Sequence, residues 1–145
     1  MNFITNEKNL RAVNTKRNGE NYKDSCMELF IRPDIEDDRY MNFEINPLGV
    51  LYLGVRTGRY DNTLDTTDDS VFEIKSIITH DTWQVTFKIP YDVIKKYYNN
   101  ITNEMRANIY KCGEQTEINH YGCWNEVGVE HEFHAPEYFG KFILE

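Results

Sequence analysis

The sequence has no long hydrophobic segment and no excess of positive charge, and both absences limit what it can bind. It contains no run of about 18 apolar residues, the length that a membrane-spanning helix needs. Lys and Arg number 16 against 24 Asp and Glu, which gives a formal net charge of -8. Nucleic-acid backbones and anionic membrane surfaces are bound by clustered positive charge. We therefore expect neither nucleic acid nor a membrane as a partner.

The motifs of several enzyme classes are also missing. The sequence has no glycine-rich phosphate loop, no Gly-x-Ser-x-Gly turn, no Cys-x-x-Cys and no His-Glu-x-x-His. These motifs position phosphates, nucleophiles, redox thiols and catalytic zinc. Because none is present, nothing in the sequence indicates nucleophilic catalysis, and we expect a protein that is not an enzyme.

Cysteine is scarce, and its three copies cannot all close into internal disulfides. Cys26 lies in an apolar, strand-like run, where a buried thiol packs as a small hydrophobic group. Cys112 and Cys123 could pair in an oxidising compartment. The first residues, MNFITNEKNLRAV, lack the continuous apolar segment of a secretion signal. The sequence leaves both a cytoplasmic and a secreted protein open.

What the chain does contain is enough apolar material, 40% of 145 residues, for the core of one domain. Short segments alternate apolar and polar residues with a period of two, which is typical of half-buried strands. Residues 91–98 have the pattern of a short helix. We predict an all-β fold, an antiparallel β-sandwich with one short helix. The predicted strands are 26–32, 41–46, 50–55, 71–78, 83–90, 106–112 and 139–145.

The two ends of the chain differ in regularity. Residues 1–20 are polar and include an Asn-Gly turn signal, so we predict an irregular N-terminal segment with one irregular strand near 10–15. The sandwich is predicted over residues 21–145. Long predicted loops at 57–70 and 113–136 interrupt it, and loops of this length are usually functional or mobile.

Metal sites are alternatives that the residue types leave open. Two acidic loops, 34–38 and 61–69, offer oxygen ligands that calcium could use, without the spacing of an EF-hand. Cysteine and histidine side chains could be assembled into a zinc site, although their spacing matches no common zinc pattern. These zinc candidates are Cys112, His120, Cys123, His131 and His134.

Aromatic residues are abundant, at 14%, and several lie in predicted loops. Sugars are held by a ring against their C–H face and by polar side chains at their hydroxyls. Trp124 lies in a polar, turn-rich segment, where a stacking role and a structural role are both open. Trp83 begins the clearest strand on its apolar face, which favours core packing. Glu28 and Glu44 on strands could alternatively form the carboxylate pair of a small glycoside hydrolase.

Six segments, in the same order along the chain, resemble the family 9 carbohydrate-binding modules and in particular their stand-alone bacterial members. The segments are NYKDSCMELFIRP, YMNFEINPLGVLY, WQVTFKIPYDVI, RANIYKCG, HYGCW and FHAPEYFGKFILE. The resemblance, over residues 21–145, implies a jelly-roll sandwich similar to DOMON domains. It also implies non-catalytic binding of a mono- or oligosaccharide in support of glycan breakdown by partner glycoside hydrolases. Some members hold structural calcium, and the resemblance implies no other cofactor.

The resemblance also implies which residues bind the sugar. Glu28 matches the glutamate of the family's first strong strand motif, and Tyr22 falls where the family commonly has a clamp tryptophan. Trp124 is the candidate for the second clamp ring. Arg106 could equally be a structural partner of a carboxylate. The polar candidates that complete the predicted site are Arg56, Arg106, Asn108 and His120.

The front of the chain departs from the family pattern. Family members usually carry further strands before the segment DSCMELF, where this chain has about twenty polar residues. Missing strands would leave a sheet edge and apolar surface uncovered, so we predict a homodimer or an exchanged strand over that edge. A structural or protein-interaction sandwich that has lost its sugar site is the competing interpretation.

Overall fold

The computed structural model describes residues 1–128 and 132–144, and within them the chain forms ten strands and one short α-helix. Three short 3₁₀ turns lie at Asn21–Lys23, Asp69–Phe72 and Pro136–Tyr138. The strands and the helix are β1 (Asn2–Asn6), β2 (Ser25–Arg32), β3 (Tyr40–Ile45), β4 (Leu51–Arg56), β5 (Thr63–Leu64), β6 (Lys75–Ile78), β7 (Thr82–Thr86), α1 (Tyr91–Lys95), β8 (Glu104–Gly113), β9 (His120–Cys123) and β10 (Gly140–Ile143).

The strands form two antiparallel sheets. The smaller sheet has the order β1-β7-β6, and the larger has the order β10-β8-β2-β3-β4-β5, with β9 also paired to β8. Central strands β2 and β8 pair over their whole shared length, from Ser25 opposite Gly113 to Arg32 opposite Arg106. The prediction of an antiparallel β-sandwich with one short helix is confirmed.

The core lies between the two sheets and follows the alternation of the strands. Met27, Leu29 and Ile31 of β2 are buried in it, and Trp83 of β7 is 1% exposed, in agreement with its predicted core position. Because side chains alternate along a strand, the residues between them project from the opposite face of the larger sheet. That outer face carries the groups described below.

The N-terminal segment contains one regular strand, at a position other than the one that we predicted, and no further strand or helix up to residue 20. Its strand is β1 at Asn2–Asn6 rather than near 10–15, and it pairs with β7 so that Phe3 lies opposite Val85 and enters the core. Asn18 then accepts a hydrogen bond from the backbone of Leu53. The sequence pattern did not predict β1, because only one large side chain of NFITN is buried. Residues 1–20 therefore belong to the same sandwich, and the predicted homodimer stays a prediction.

Other differences concern short segments. Strand β6 begins at Lys75 rather than at 71, because the preceding 3₁₀ turn ends at Glu73 with a left-handed φ of 47°. The predicted loops contain two short strands, β5 and β9. All three cysteines are free thiols, so Cys112 and Cys123 do not pair in this structure. Among residues 1–128 and 132–144, no helix is long and apolar enough to cross a membrane.

Candidate ligand-binding cavity

A cavity of about 780 Å³ opens on the outer face of the larger sheet. Its floor consists of side chains from β2, β3, β4 and β8, and its walls come from residues 18–22, from the loop after β4 and from the segment that follows β9. The floor side chains come from four strands that neighbour one another in the larger sheet. They are Glu28, Glu44, Tyr52, Arg56 and Cys112.

Two glutamates form the centre of the floor. Glu28 of β2 lies directly opposite Glu44 of β3 in the antiparallel register, so both side chains project from the same face. Glu28 is 3% exposed and Glu44 is 5% exposed. One oxygen of each carboxyl and the Cys26 sulfur lie within 4.8 Å of one another. Two buried carboxyl groups in contact are costly unless something neutralises them.

Arg56 is the cation that β4 contributes to the floor beside this pair. Its guanidinium donates to the Arg59 carbonyl at 2.8 Å and to the Tyr52 hydroxyl at 2.5 Å, and it lies 5.4 Å from the centre of the Tyr52 ring. Within the described chain, Arg56 Nε and Glu44 Oε2 are buried and have no hydrogen-bond partner. Buried polar atoms are nearly always paired, so these two indicate a place for a ligand or for ordered water.

Burial dominates the protonation of the floor. It raises the pKa of Glu28 well above its usual range, and the neighbouring Glu44 carboxyl raises it further. Burial raises the pKa of Glu44 to about 7, against the opposing effect of Arg56. In the wall, burial and, to a smaller extent, the charge of Arg56 lower the pKa of His134 to about 4. The His134 Nδ1 lies 2.8 Å from the Tyr40 hydroxyl.

Aromatic side chains stand at the rim. Tyr22, Tyr60 and Tyr121 line the cavity and are 38%, 95% and 58% exposed. Tyr22 is positioned by the 3₁₀ turn at 21–23, whose buried Asn21 donates to the carbonyls of Glu44 and Val50 at 2.9 and 2.8 Å. Exposed rings beside a polar floor combine a stacking surface with hydrogen-bonding groups.

The opposite wall is held by an aromatic cluster next to the cavity. Phe133 stacks on Tyr110 with ring centres 4.1 Å apart, and the Tyr110 hydroxyl donates to the Phe133 carbonyl at 3.0 Å. Glu132 in the same wall forms an ion pair of 2.5 Å with Arg59. Phe30 of β2 packs beneath, 5.0 Å from Tyr110 between ring centres. We call the chain between β9 and β10 the covering segment. Its described residues are thus fixed to the sheet on one side of the cavity.

The sequence matches the model of carbohydrate-binding family 9 over residues 1–144. The chain belongs to this family. Two solved structures are similar to this family 9 chain and cover 99% of it. A candidate carbohydrate-binding protein from Bacteroides uniformis is 26% identical, with a TM-score of 0.88 over 72% of that protein. A family 9 module from Caldicellulosiruptor kristjanssonii, in complex with glucose, is 13% identical, with a TM-score of 0.63 over 69% of that chain.

At 13% identity, the second likeness concerns the fold alone. A comparison with curated proteins found no match. Family 9 consists of non-catalytic carbohydrate-binding modules, and its fold agrees with the two-sheet architecture described above.

Three of the seven predicted site residues of this family 9 module line the cavity. They are Tyr22, Glu28 and Arg56. Trp124 lies outside it, half-exposed, with its ring packed beside Gly140 of β10 and its backbone N–H bonded to the Ile109 carbonyl. Tyr22 and Trp124 therefore do not face each other across this cavity, although the family resemblance had made Trp124 the candidate for the second clamp ring.

The other three predicted residues are engaged elsewhere. Asn108 is fully buried and exchanges hydrogen bonds with the backbone of Asn125, which ties the covering segment to β8. The His120 Nε2 lies 3.2 Å from a Glu7 carboxylate oxygen. Arg106 is exposed on β8, opposite Lys141 of β10. All three lie on β8 or on its neighbour β9. The sequence indicated that β8 contributes to the site, but it did not determine which end of the strand reaches the cavity.

Several cavity residues were not predicted as ligands, and one signal could have found part of them. Tyr52 lies four residues before Arg56, so the period of two places both on the outer face of β4. Glu44, considered only for hydrolysis, lies on that face of β3. The wall residues come from the short strand β9 and from irregular segments, where no periodic pattern could indicate them. They are Arg59, Tyr60, Tyr121, Glu132, Phe133 and His134.

Among residues 1–128 and 132–144, the zinc and calcium ligands that the sequence left open as alternatives do not come together. His131 lies outside the described residues, and His134 and His120 are turned toward Tyr40 and Glu7. In the acidic loops, Asp37 pairs with Arg39 at 2.6 Å, and Asp65 accepts from Thr67 and Tyr97. In the part of the chain that the structure describes, one group of metal-ligand types meets, formed by Cys26, Glu28 and Glu44.

Proposed function

We propose that the cavity binds a single or terminal sugar unit without catalysis. The observation that carries the proposal is the combination of exposed rings at the rim with a buried polar floor in which Glu44 Oε2 and Arg56 Nε lack partners among the described residues. Membership of a carbohydrate-binding family points to the same chemistry. The cavity volume of about 780 Å³ falls within the range of roughly 300–1,000 Å³ typical of small-molecule sites.

The proposed contacts divide between the rim and the floor. Tyr22 supplies a stacking face for the apolar side of the pyranose ring. The carboxyl oxygens of Glu28 and Glu44 accept hydrogen bonds from sugar hydroxyls, and Arg56 Nε donates one. The contacts to Glu44 Oε2 and Arg56 Nε would satisfy two buried atoms that have no partner among the described residues, which is a favourable exchange.

In this proposal the module serves a partner enzyme. A binding module that is linked to a glycan-degrading enzyme raises the local concentration of that enzyme on the glycan. The family supports this role, and the sugar and the enzyme are left to experiment.

Calorimetric titration with glucose, cellobiose and xylose tests the proposal. Tyr22→Ala should weaken binding about two- to tenfold, the equivalent of one lost aromatic contact. Trp124→Ala is the matched control, because it removes a half-exposed ring outside the cavity. Absence of binding at millimolar sugar, with the fold intact by circular dichroism, would contradict the proposal and favour a structural or interaction role. Weaker binding in the Trp124 variant would show that this ring also contributes to the sugar site.

A hydrolase would need the same two glutamates to act on one bond. Glycosidases place their acid and their nucleophile or base on either side of the scissile bond. Glu28 and Glu44 project side by side from neighbouring strands of one floor, so a sugar would lie above both rather than between them. Measurement of nitrophenyl glycoside hydrolysis in the wild type and in Glu28→Gln tests this alternative, and we expect no turnover.

A further inference from the structure

We propose that the cavity prefers an aminated sugar, whose ammonium group binds between the carboxyl groups of Glu28 and Glu44. This inference rests on the proposed function, because the sugar part of the ligand is supplied by that proposal. The amine is inferred from the floor itself, where two glutamates lie side by side without a cation of their own.

The geometry of the pair suits a nitrogen. Charge-assisted N–H···O bonds have lengths of about 2.8 Å and the N–H bonds of an ammonium group diverge at about 109°, so one nitrogen bonds two oxygens that are about 4.6 Å apart. Oxygens of Glu28 and Glu44 approach within 4.8 Å. Both residues line the cavity, and Glu44 Oε2 has no partner within the described chain, so a group entering from the cavity can reach them.

The charged groups around the floor leave the Glu28 and Glu44 pair without a cation. Among the residues described, neither Glu28 nor Glu44 forms an ion pair, since Arg56 is directed to Tyr52 and the Arg59 carbonyl. Lys111 is held at 3.1 Å by Glu7. In the walls, Glu20 is paired with Lys23 and Glu132 with Arg59. When both carboxyls are ionised, the pair and the Arg56 guanidinium carry a net charge of -1, which one ammonium group would neutralise.

A neutral sugar cannot supply that charge, so the pair must then keep a proton. Burial and mutual repulsion raise the pKa of both carboxyls, which favours this shared proton in the empty cavity. An ammonium group would displace it. An aminated ligand should therefore release a proton on binding, whereas glucose should not. The titratable and charged groups that surround the pair are Cys26 on β2, Tyr52 and Arg56 on β4, Lys111 and Cys112 on β8, and His134 in the wall.

A metal ion is the competing occupant, because the Cys26 sulfur also lies within 4.8 Å. Cys26 does not line the cavity, however, and is fully buried. Burial and the two glutamates raise the pKa of its thiol well above the usual range, and metal binding would require the thiolate. The surroundings thus favour an ammonium group over a thiophilic metal.

The test is a calorimetric comparison of glucosamine, glucose and N-acetylglucosamine at pH about 6.5, where an amine is protonated and Glu44 is partly so. We expect glucosamine to bind at least about tenfold more tightly than the other two, the effect of one charge-assisted contact. Titrations in buffers of different ionisation enthalpy should show proton release with glucosamine alone. The acetylated sugar separates the charge from the added bulk.

Two variants test whether the carboxyl pair causes the preference for glucosamine. Glu44→Gln should bring the ratio of glucosamine to glucose affinity close to one and abolish proton release. Glu137→Gln removes the same formal charge from an exposed residue outside the cavity and should leave the ratio high. Circular dichroism and thermal unfolding check that both variants fold.

The outcomes separate this inference from the proposed function. Equal binding of glucose and glucosamine by the wild type would overturn the amine preference and leave sugar binding intact. Failure of every sugar to bind would overturn both. Zinc binding that is lost in Cys26→Ser, together with no preference for glucosamine, would assign the pair to a metal and overturn the inference.

Discussion

The two faces of the larger sheet are built from the same strands but differ in how completely their side chains are satisfied. On the inner face, Leu29, Phe43 and Leu53 are buried against apolar neighbours and carry no group that needs a partner. On the outer face, one residue away along the same strands, Glu28 and Glu44 are equally buried without an ion pair among the described residues. Burial alone therefore does not distinguish core from site, and the Glu44 Oε2 atom without a partner adds a polar group that the cavity can present to a ligand.

The outer face is itself divided. Its aromatic half, around Phe30 and Tyr110, is closed by the segment that carries Phe133 and Phe139. Its polar half, around Glu28 and Arg56, is left open as the cavity floor. The covering segment thus stabilises one half and forms a wall for the other, which links the stability of the fold to the shape of the proposed sugar site.

The largest expected difference between the two faces concerns neighbouring residues of β3. Phe43→Ala empties a fully buried position between the sheets and should lower the free energy of unfolding by about 3–5 kcal/mol. Glu44→Gln retains the shape of the side chain and removes a buried acid, so its cost at neutral pH should be less than about 1 kcal/mol, or the variant should be stabilised. Urea unfolding of both variants measures the contrast, which equal losses would contradict.

The pH dependence of stability should separate the floor from its wall. Glu44 has a pKa of about 7 in the folded protein against 4.5 when unperturbed, so the native state binds more protons and the free energy of unfolding falls as pH rises through this window. His134 has a pKa of about 4 against 6.5, so the native state binds fewer protons and stability rises between those values. Each contribution amounts to at most about 3 kcal/mol, and in the wild type they partly cancel.

Variants should separate the two opposing changes of the free energy of unfolding with pH. His134→Gln leaves the floor carboxyls and should be more stable at pH about 5 than at pH about 7. The double variant Glu28→Gln/Glu44→Gln leaves the histidine and should show the reverse. Chemical unfolding at the two pH values checks both signs, and slopes that match in the two variants would show that neither group controls the pH response.

Much of the larger sheet was predictable because its central strands alternate strongly. The observed β2, β3 and β4 agree with the predicted strands within one residue at each end. Strand β1 was missed because Phe3 is its only large buried residue. A strand that contributes one side chain to the core leaves little periodic signal.

The candidate site was less accessible to sequence reasoning. Glu28 could be proposed from its motif, but its contact with Glu44 depends on strand register, which local patterns do not specify. The wall depends on contacts between distant loops, such as the ion pair of Arg59 with Glu132, 73 residues away. Trp124 is the opposite case, a residue that was proposed for the site but does not line it. Its indole lies in a polar loop and packs beside β10 rather than over the cavity.

The smallest expected effect tests the boundary between the closed and open halves of the outer face. Phe133→Leu retains apolar volume but loses the stack on Tyr110, and should lower the free energy of unfolding by about 0.5–1.5 kcal/mol. Phe133→Tyr retains the ring and is the matched control. Because Phe133 also lines the cavity, Phe133→Leu should weaken sugar binding as well, by loosening the wall that carries Glu132 and His134. A loss of stability with unchanged sugar affinity would mean that the two halves of the face act independently.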